Sequence, residues 1–305
     1  MDDGHRPVLP TETLGLLDPR PGEIMVDCTV GQGGHAALLS PSLGPAGTII
    51  GFDVDPGALA VAADRLSGTP AAFEPVHDNF VRVAHHLARL DRRADVVLAD
   101  LGYSSHQMDD PKRGLAFGHD GPLDMRLDPD GPVTAAELVA TMPEQELAHV
   151  ISRYGEEPLA RKIARIVVQT RDRGPITSTT QLADIVLEAY GSRARSSRKH
   201  PATRTFMALR IAVNDELAAL EALLGHIADG AAETGSGGWL STGARIAIIS
   251  FHSLEDRMVK RAFVELVERG LAERLTRRPV TAGDEEVAVN PRSRSAKMRV
   301  IRTLV

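Results

Sequence analysis

The sequence predicts an α/β fold, in which a mainly parallel sheet is interrupted by an inserted, mainly helical domain. Three observations predict it. Apolar runs alternate with helical patterns from residue 24 to residue 100, which is typical of successive strands of a parallel sheet. Beyond residue 105 this alternation gives way to an irregular stretch and then to helical patterns. The alternation resumes with the apolar run ARIAIIS at residues 244–250.

The first predicted strand ends at Asp27 and is followed by a turn that contains Gly31, Gly33 and Gly34. An apolar run, AALL, comes next, so the order is strand, glycine loop and helix. Glycines let the backbone approach a ligand closely, and the first turn of a helix offers unpaired N–H groups to an anion. The pattern predicts a cradle for a nucleotide cofactor.

The loop differs from the dinucleotide fingerprint, because Ala36 stands where a third glycine is usual. The spacing Asp27-x-x-x-Gly31-x-Gly33 resembles instead the first motif of class I (Rossmann-like) S-adenosylmethionine methyltransferases. A second strand ends at Asp53, where an acidic side chain can accept hydrogen bonds from both ribose hydroxyls. A nicotinamide dehydrogenase remains the alternative for a glycine loop.

Two further strand ends supply candidate ligands for the same cofactor. Phe80 follows the third strand, where its ring either faces an adenine or belongs to the core, and the position alone does not decide between them. The fourth strand, ADVVLAD, is a nearly continuous apolar run that ends at Asp100. Because ligands of such sheets bind at the carboxyl ends of the strands, we expect Asp27, Asp53, Phe80 and Asp100 to meet in one crevice.

The loop after the fourth strand suggests which chemical group receives the methyl group. Asp100-Leu101-Gly102-Tyr103 resembles the Asp-Pro-Pro-Tyr motif of enzymes that methylate exocyclic amines on bases, although both prolines are absent. Such an amine is a poor nucleophile, since its lone pair is delocalised into the ring. Asp100, or the adjacent backbone carbonyl, can accept an N–H and orient the amine, and Tyr103 can stack on the base.

The irregular and helical stretch that interrupts the predicted strands sets the expected domain limits. Residues 1–104 and 211–305 are assigned to the sheet domain, and residues 105–210 to the inserted domain. The stretch after residue 105 is rich in Gly, Pro and Asp and is interpreted as a long functional loop. A single helix is predicted from Pro201 to Leu224, and Ser253 with Asp256 has the spacing of a helix cap. The segment of residues 274–305 is assigned to the last antiparallel strands.

Charge and cysteine content narrow the classes of function. The single cysteine, Cys28, excludes an internal disulfide and a cysteine-based zinc site, and we expect it to be a buried residue. The amino-terminal residues lack the pattern of a signal peptide, and no apolar run reaches membrane length, so a cytoplasmic protein is expected. No metal site is predicted.

Positive charge is concentrated in two segments of a chain whose net charge is −6. Residues 191–210 contain six lysines and arginines and no acid, and residues 292–305 contain five. Each segment can bind phosphate groups, or can be merely a solvated face. In the first segment the candidate RNA-binding residues are Arg193, Arg195, Arg198, Lys199 and Arg204.

A series of distinctive sequence blocks extends over nearly the whole chain and includes HRPVLPTE, TVGQGGH, DGPLDMRLDP, YGEE, HPATRTF, SFHSLEDRMVK and NPRSRSAKMRV. These blocks resemble those of the RsmH (MraW) family of bacterial methyltransferases. The resemblance implies S-adenosylmethionine as cofactor. The contacts it implies are at Gly33, Gly34, His35, Asp53, Phe80, Asp100 and Gln107, of which His35 and Gln107 rest on the resemblance alone.

The same resemblance implies methylation of N4 of a cytidine in the decoding centre of 16S rRNA, with the small ribosomal subunit as partner. Asp100 and Tyr103 are then the candidate catalytic residues, although Tyr103 stands where valine is common in the family. Two alternatives stay open, a DNA amino-methyltransferase and a ribosome-assembly factor that binds without turnover. The oligomeric state, monomer or homodimer, is open as well.

Overall fold

The computed structural model describes residues 6–197 and 200–304. The chain forms two compact units. The first unit comprises Met1–Gly102 and Leu217–Val305, and the second unit comprises Tyr103–Glu216. The sequence analysis set the corresponding limits at residues 105 and 210.

The first unit is built on a seven-stranded sheet with the order β3-β2-β1-β4-β5-β7-β6. Strands β1 to β5 are parallel, and β7 runs antiparallel to both β5 and β6. This arrangement confirms the predicted α/β fold class. The strands are β1 (Ile24–Asp27), β2 (Thr48–Asp53), β3 (Ala72–His77), β4 (Ala94–Asp100), β5 (Leu240–Ser250), β6 (Ala272–Arg274) and β7 (Lys297–Thr303).

Alternating side chains of the central strands fill two separate cores of this unit. Val26 and Ile50 belong to one cluster of buried residues, whereas their neighbours Met25 and Ile49 belong to another. Such alternation follows from the twofold period of a strand and means that both faces of the sheet are covered. The covering helices are α1 (Pro10–Leu17), α2 (Gly34–Leu43), α3 (Pro56–Leu66), α4 (Val83–Arg89), α11 (Glu216–Ala232), α12 (Ser253–Glu268) and α13 (Asp284–Val289).

The second unit is mainly helical and has a core of its own, to which Ile151, Ile163, Leu182 and Leu209 contribute. Its helices are α5 (Ser105–Asp109), α6 (Ala135–Thr141), α7 (Glu144–Gly155), α8 (Ala160–Arg171), α9 (Thr179–Tyr190) and α10 (Ala202–Asn214). Among the described residues, none of the helices has the length and apolar character needed to span a membrane.

The loop between α5 and α6 is tied together by side chains of its own conspicuous motif. Arg126 donates from Nε and Nη2 to the two carboxylate oxygens of Asp124, each at 2.8 Å, and from Nη1 to the Gly131 carbonyl at 2.9 Å. Asn214 donates to the Met125 carbonyl at 2.8 Å. The DGPLDMR block therefore has a structural role in holding this loop.

The single helix predicted from Pro201 to Leu224 was wrong, because the chain breaks at Asp215. This residue has φ 49° and ends α10 by donating its N–H to the Ile211 carbonyl. The apolar stripe that suggested one helix is shared by two cores, since Leu209 lies in the core of the second unit and Leu220 in that of the first. Periodicity alone could not reveal that division.

The cap predicted for α12 was also wrong, by one residue. His252 is the N-cap, and its ring accepts the Glu255 N–H at 3.4 Å, while Glu255 Oε2 accepts the His252 N–H at 3.2 Å. Asp256 forms an ion pair with Arg299 instead.

The break at Asp215 gives a stability prediction. In the left-handed region a Cβ costs about 1–2 kcal/mol, so Asp215→Gly is expected to unfold at a higher urea concentration than Asp215→Ala. At the exposed helical position Asp184 the order should reverse, with alanine more stable than glycine by about 1 kcal/mol. If alanine were the more stable residue at both positions, a continuous helix would be indicated.

Candidate active site

The glycine loop between β1 and α2 adopts a conformation that requires glycine at two positions. Gly31 has φ 51° and Gly33 has φ 79°. A Cβ on Gly33 would lie 3.3 Å from the backbone of Ala62. The Val30 N–H donates to the Phe52 carbonyl at 2.9 Å, which holds the loop against β2. The loop is therefore a fixed turn in front of the α2 N-terminus, as the sequence pattern predicts.

Asp53 is fixed at the end of β2 by backbone donors. One carboxylate oxygen accepts the Gly31 N–H at 2.8 Å, and the other accepts the Asp55 N–H at 2.9 Å. Burial raises the pKa of Asp53, and these two N–H groups oppose that shift. Each carboxylate oxygen retains a second lone pair, so the side chain can accept hydrogen bonds from a ribose.

His35 and Asp100 face each other near this loop. Only 6% of the His35 side chain is exposed, and its Nε2 lies 3.5 Å from Oδ2 of Asp100. Neither ring nitrogen of His35, nor Oδ1 of Asp100, has a hydrogen-bond partner among the described residues. Buried polar atoms in native proteins are normally satisfied, so this unsatisfied set indicates a place where a ligand completes the hydrogen bonds.

Asp27 lies beneath the same loop and is almost fully buried, with 1% of the residue exposed. Burial raises the pKa of Asp27 to about 7, against the opposing effects of His35 and of the Thr29 N–H, which donates to Oδ1 at 3.1 Å. Asp100 and Asp53 raise it further by repulsion. The three strand-end carboxylates are thus electrostatically coupled and favour a bound cation.

Phe80 begins a short 3₁₀ helix, Phe80–Arg82, directly after β3. Its ring is half-buried and packs against the core of the first unit. Nε2 of His226 lies 2.9 Å from the Val81 carbonyl oxygen, which anchors this turn to α11. Both interpretations of Phe80 are compatible with this placement, since part of the residue is core and part is accessible.

The crevice predicted at the strand ends therefore has a defined composition in the first unit. The structure brings together Gly33, Gly34, His35, Asp53 and Asp100 around the loop, with Asp27 below them. Cys28 is buried, as expected, and burial raises the pKa of its thiol, which argues against a nucleophilic role.

Sequence reasoning missed Thr29 as a member of the site. Its Oγ1 accepts the Asp100 N–H at 2.6 Å and so links the glycine loop to the end of β4. A small polar residue between two apolar ones gives no signal of such a bond, because the partner is 71 positions away in the chain.

Two predicted site residues belong to the second unit, and their functional roles stay predictions. Gln107 is 8% exposed and caps α5, where its Oε1 accepts the Ser104 N–H at 2.9 Å. The half-buried Tyr103 ring lies under the Arg210 guanidinium, whose central carbon is 4.6 Å from the ring centroid. One face of the ring is therefore engaged by a cation.

The predicted RNA-binding residues also belong to this unit. Arg193, Arg195 and Arg204 are exposed. Arg198 and Lys199 lie outside the described residues. All five keep their assignment as a prediction.

Comparison with known proteins adds an independent line of information. The sequence profile of the MraW methylase family matches residues 2–304. A protein of Geobacter sulfurreducens named Ribosomal RNA small subunit methyltransferase H is 47% identical over 320 residues, with 100% of both chains covered. The protein of that name from Symbiobacterium thermophilum is 46% identical, with 97% of this chain and 96% of the relative covered.

Among solved structures, Aeropyrum pernix fibrillarin in complex with natively bound S-adenosyl-L-methionine aligns over 95% of this chain and 73% of its own. The TM-score is 0.39 and the identity 12%. A likeness of this degree transfers no residue roles to this chain.

The raised pKa of Asp27 predicts a pH-dependent stability. A carboxyl with a folded-state pKa of about 7 and an unfolded pKa of about 4 is protonated in both states below about pH 4, so it does not change the free energy of unfolding there. As pH rises from about 4 to about 7 it ionises more readily in the unfolded state, so the free energy of unfolding falls over that range. Asp27→Asn should therefore match the wild type near pH 4 and exceed its free energy of unfolding near pH 8, by on the order of 3–4 kcal/mol.

Urea unfolding of the cofactor-free protein across this pH range measures the difference. The exposed helical carboxyl Asp64 gives a matched control, Asp64→Asn, whose stability should follow that of the wild type. A constant difference between Asp27→Asn and the wild type at every pH would contradict the raised pKa.

Proposed function

Because this chain belongs to the MraW methylase family, we propose that it methylates N4 of a cytidine in the decoding centre of 16S rRNA. The observation that carries the substrate assignment is full-length identity of 47% to a relative named Ribosomal RNA small subunit methyltransferase H. The chain is a methyltransferase, and its methyl donor is S-adenosylmethionine. A ribosomal substrate implies action in the cytoplasm.

The residues of the first unit fit this cofactor. Asp53 offers carboxylate lone pairs to the ribose hydroxyls, and the half-buried Phe80 ring offers an apolar face to the adenine. The loop glycines leave room for the methionine portion, and the unsatisfied nitrogens of His35 offer it a hydrogen bond. The cofactor supplies a methyl group on a positively charged sulfur.

The coupled carboxylates explain why a cationic cofactor is accepted here. Asp100 and Asp53 both act on the buried Asp27 by repulsion, and a positive charge on the ligand relieves it. The charge around Asp27 therefore suits a sulfonium cofactor.

Asp100 is the residue to which we assign the reacting amine. A quarter of the Asp100 side chain is exposed, whereas its Oδ1 is buried and has no hydrogen-bond partner among the described residues. The accessible part of the carboxylate can accept one N–H of the cytidine amine and turn the nitrogen lone pair toward the methyl group, a contribution of position and orientation. Tyr103 is proposed to contact the base.

The target base must be exposed before the amine can reach the site. We assign RNA binding by the second unit to its exposed cations Arg193, Arg195 and Arg204, together with Arg198 and Lys199 of the same basic segment. Gln107 of that unit is proposed as a further cofactor contact.

The direct test supplies purified protein with small ribosomal subunits and S-adenosylmethionine carrying an isotopic methyl label. Mass spectrometry of the nucleosides from 16S rRNA should show labelled N4-methylcytidine. Unmodified cytidine would contradict the proposal, and methylation of duplex DNA in the same assay would favour a DNA amino-methyltransferase.

Substitution of Asp100 distinguishes a methyltransferase from a factor that binds RNA without turnover. Asp100→Asn should lower the methylation rate at least about 100-fold, because the acceptor for the amine loses its charge, while RNA affinity stays within about twofold. Asp64→Asn, at an exposed position of α3, should methylate at the wild-type rate. An Asp100→Asn variant of normal activity would remove Asp100 from the mechanism.

A further inference from the structure

The first unit carries a second cationic feature that the proposed function has not used. A shallow groove lies between α12, β6 and β7. Four of its lining residues are cationic, namely Lys260, Arg274, Arg277 and Arg299, and none is acidic. Its floor is apolar and includes Phe263 and Val300. We call these residues the cationic groove.

One of the four cations is neutralised and the other three are not. Arg299 donates from Nε to Asp256 at 2.8 Å, and only 13% of its side chain is exposed. Lys260, Arg274 and Arg277 are exposed. None of these three has an ion pair among the residues that the structure describes. The groove therefore presents about three uncompensated positive charges in a protein of net charge −6.

The segment that carries Arg277 is held in place by β7. The Leu275 N–H donates to the Val300 carbonyl at 3.0 Å, and the Thr276 Oγ1 accepts the Val300 N–H at 3.0 Å. A few residues later, the Val280 N–H donates to the Met298 carbonyl at 2.8 Å. Hydrogen bonds on both sides of Arg277 fix its backbone, so only the side chain has to be ordered when a ligand binds there.

We propose that the cationic groove binds the phosphodiester backbone of the RNA substrate, as a contact additional to the methylated nucleotide and to the basic segment of the second unit. This inference rests on the proposed function for the identity of the partner. Charge complementarity selects the ligand, because three exposed cations that line one groove match a chain of phosphates. The apolar floor suits the sugars.

The test measures RNA affinity as a function of salt concentration. Each lost phosphate contact lowers the slope of log affinity against log salt by about 0.7–0.9. The triple variant Lys260→Gln, Arg274→Gln, Arg277→Gln should therefore lose about 2–3 in slope on protein-free 16S rRNA, and it should raise the KM for RNA with little change in kcat or in cofactor affinity. All three side chains are exposed, so the fold should be retained, and circular dichroism checks this.

Single variants give a matched comparison. Arg277→Gln should lower the slope by about 0.7–0.9, whereas Arg89→Gln should leave it unchanged. Arg89 is an exposed arginine of α4 outside the groove, and it too has no ion pair among the described residues.

Each possible result either supports or contradicts RNA binding by the cationic groove. A wild-type slope for the triple variant on protein-free 16S rRNA would overturn it, as would a wild type that does not bind this RNA. An effect seen only on assembled small subunits would assign the groove to a ribosomal protein and would also overturn it. Failure of the wild type to methylate cytidine contradicts the proposed function instead, because the salt titration needs no turnover.

Discussion

The register of three parallel strands is the constraint on which the site depends. Asp27, the last residue of β1, pairs with Gly51 of β2 and with Leu98 of β4. Asp53 and Asp100 each lie two positions beyond these partners, so β1 stops short between two longer neighbours. The glycine loop fills the gap, and it bonds to β2 through the Val30 N–H and to β4 through the Cys28 N–H.

Much of the chemistry follows from this arrangement. Strand ends that meet at the point where the strand order reverses form the ligand crevice of open α/β sheets. Here the crevice contains three coupled carboxylates and a buried histidine without hydrogen-bond partners among the described residues. A ligand that brings positive charge and hydrogen-bond donors stabilises such a set.

The sequence was sufficient for features that depend on local pattern. It predicted the sheet class, the glycine loop and the strand-end acids, because apolar runs and glycine positions reflect the backbone directly. The match of the MraW methylase family to residues 2–304 confirms the resemblance seen in the motifs.

The sequence did not correctly predict features that depend on contacts between residues far apart in the chain. The break at Asp215 follows from two separate cores. The hydrogen bond from the Asp100 N–H to Thr29 Oγ1 links the ends of two neighbouring strands, and the cationic groove joins residues of α12, β6 and β7. Spacing along the chain does not encode these contacts. The α12 cap shows a related limit, since the spacing of Ser253 and Asp256 predicted a cap that the contacts of Glu255 place at His252.

Calorimetric titration of the purified protein with S-adenosylmethionine near pH 7, in two buffers of different ionisation enthalpy, measures cofactor affinity and proton release together. We expect saturable binding at one site per chain, with release of part of a proton as Asp27 ionises beside the cationic ligand. Absence of binding, or preferential binding of a nicotinamide dinucleotide in the same experiment, would contradict it.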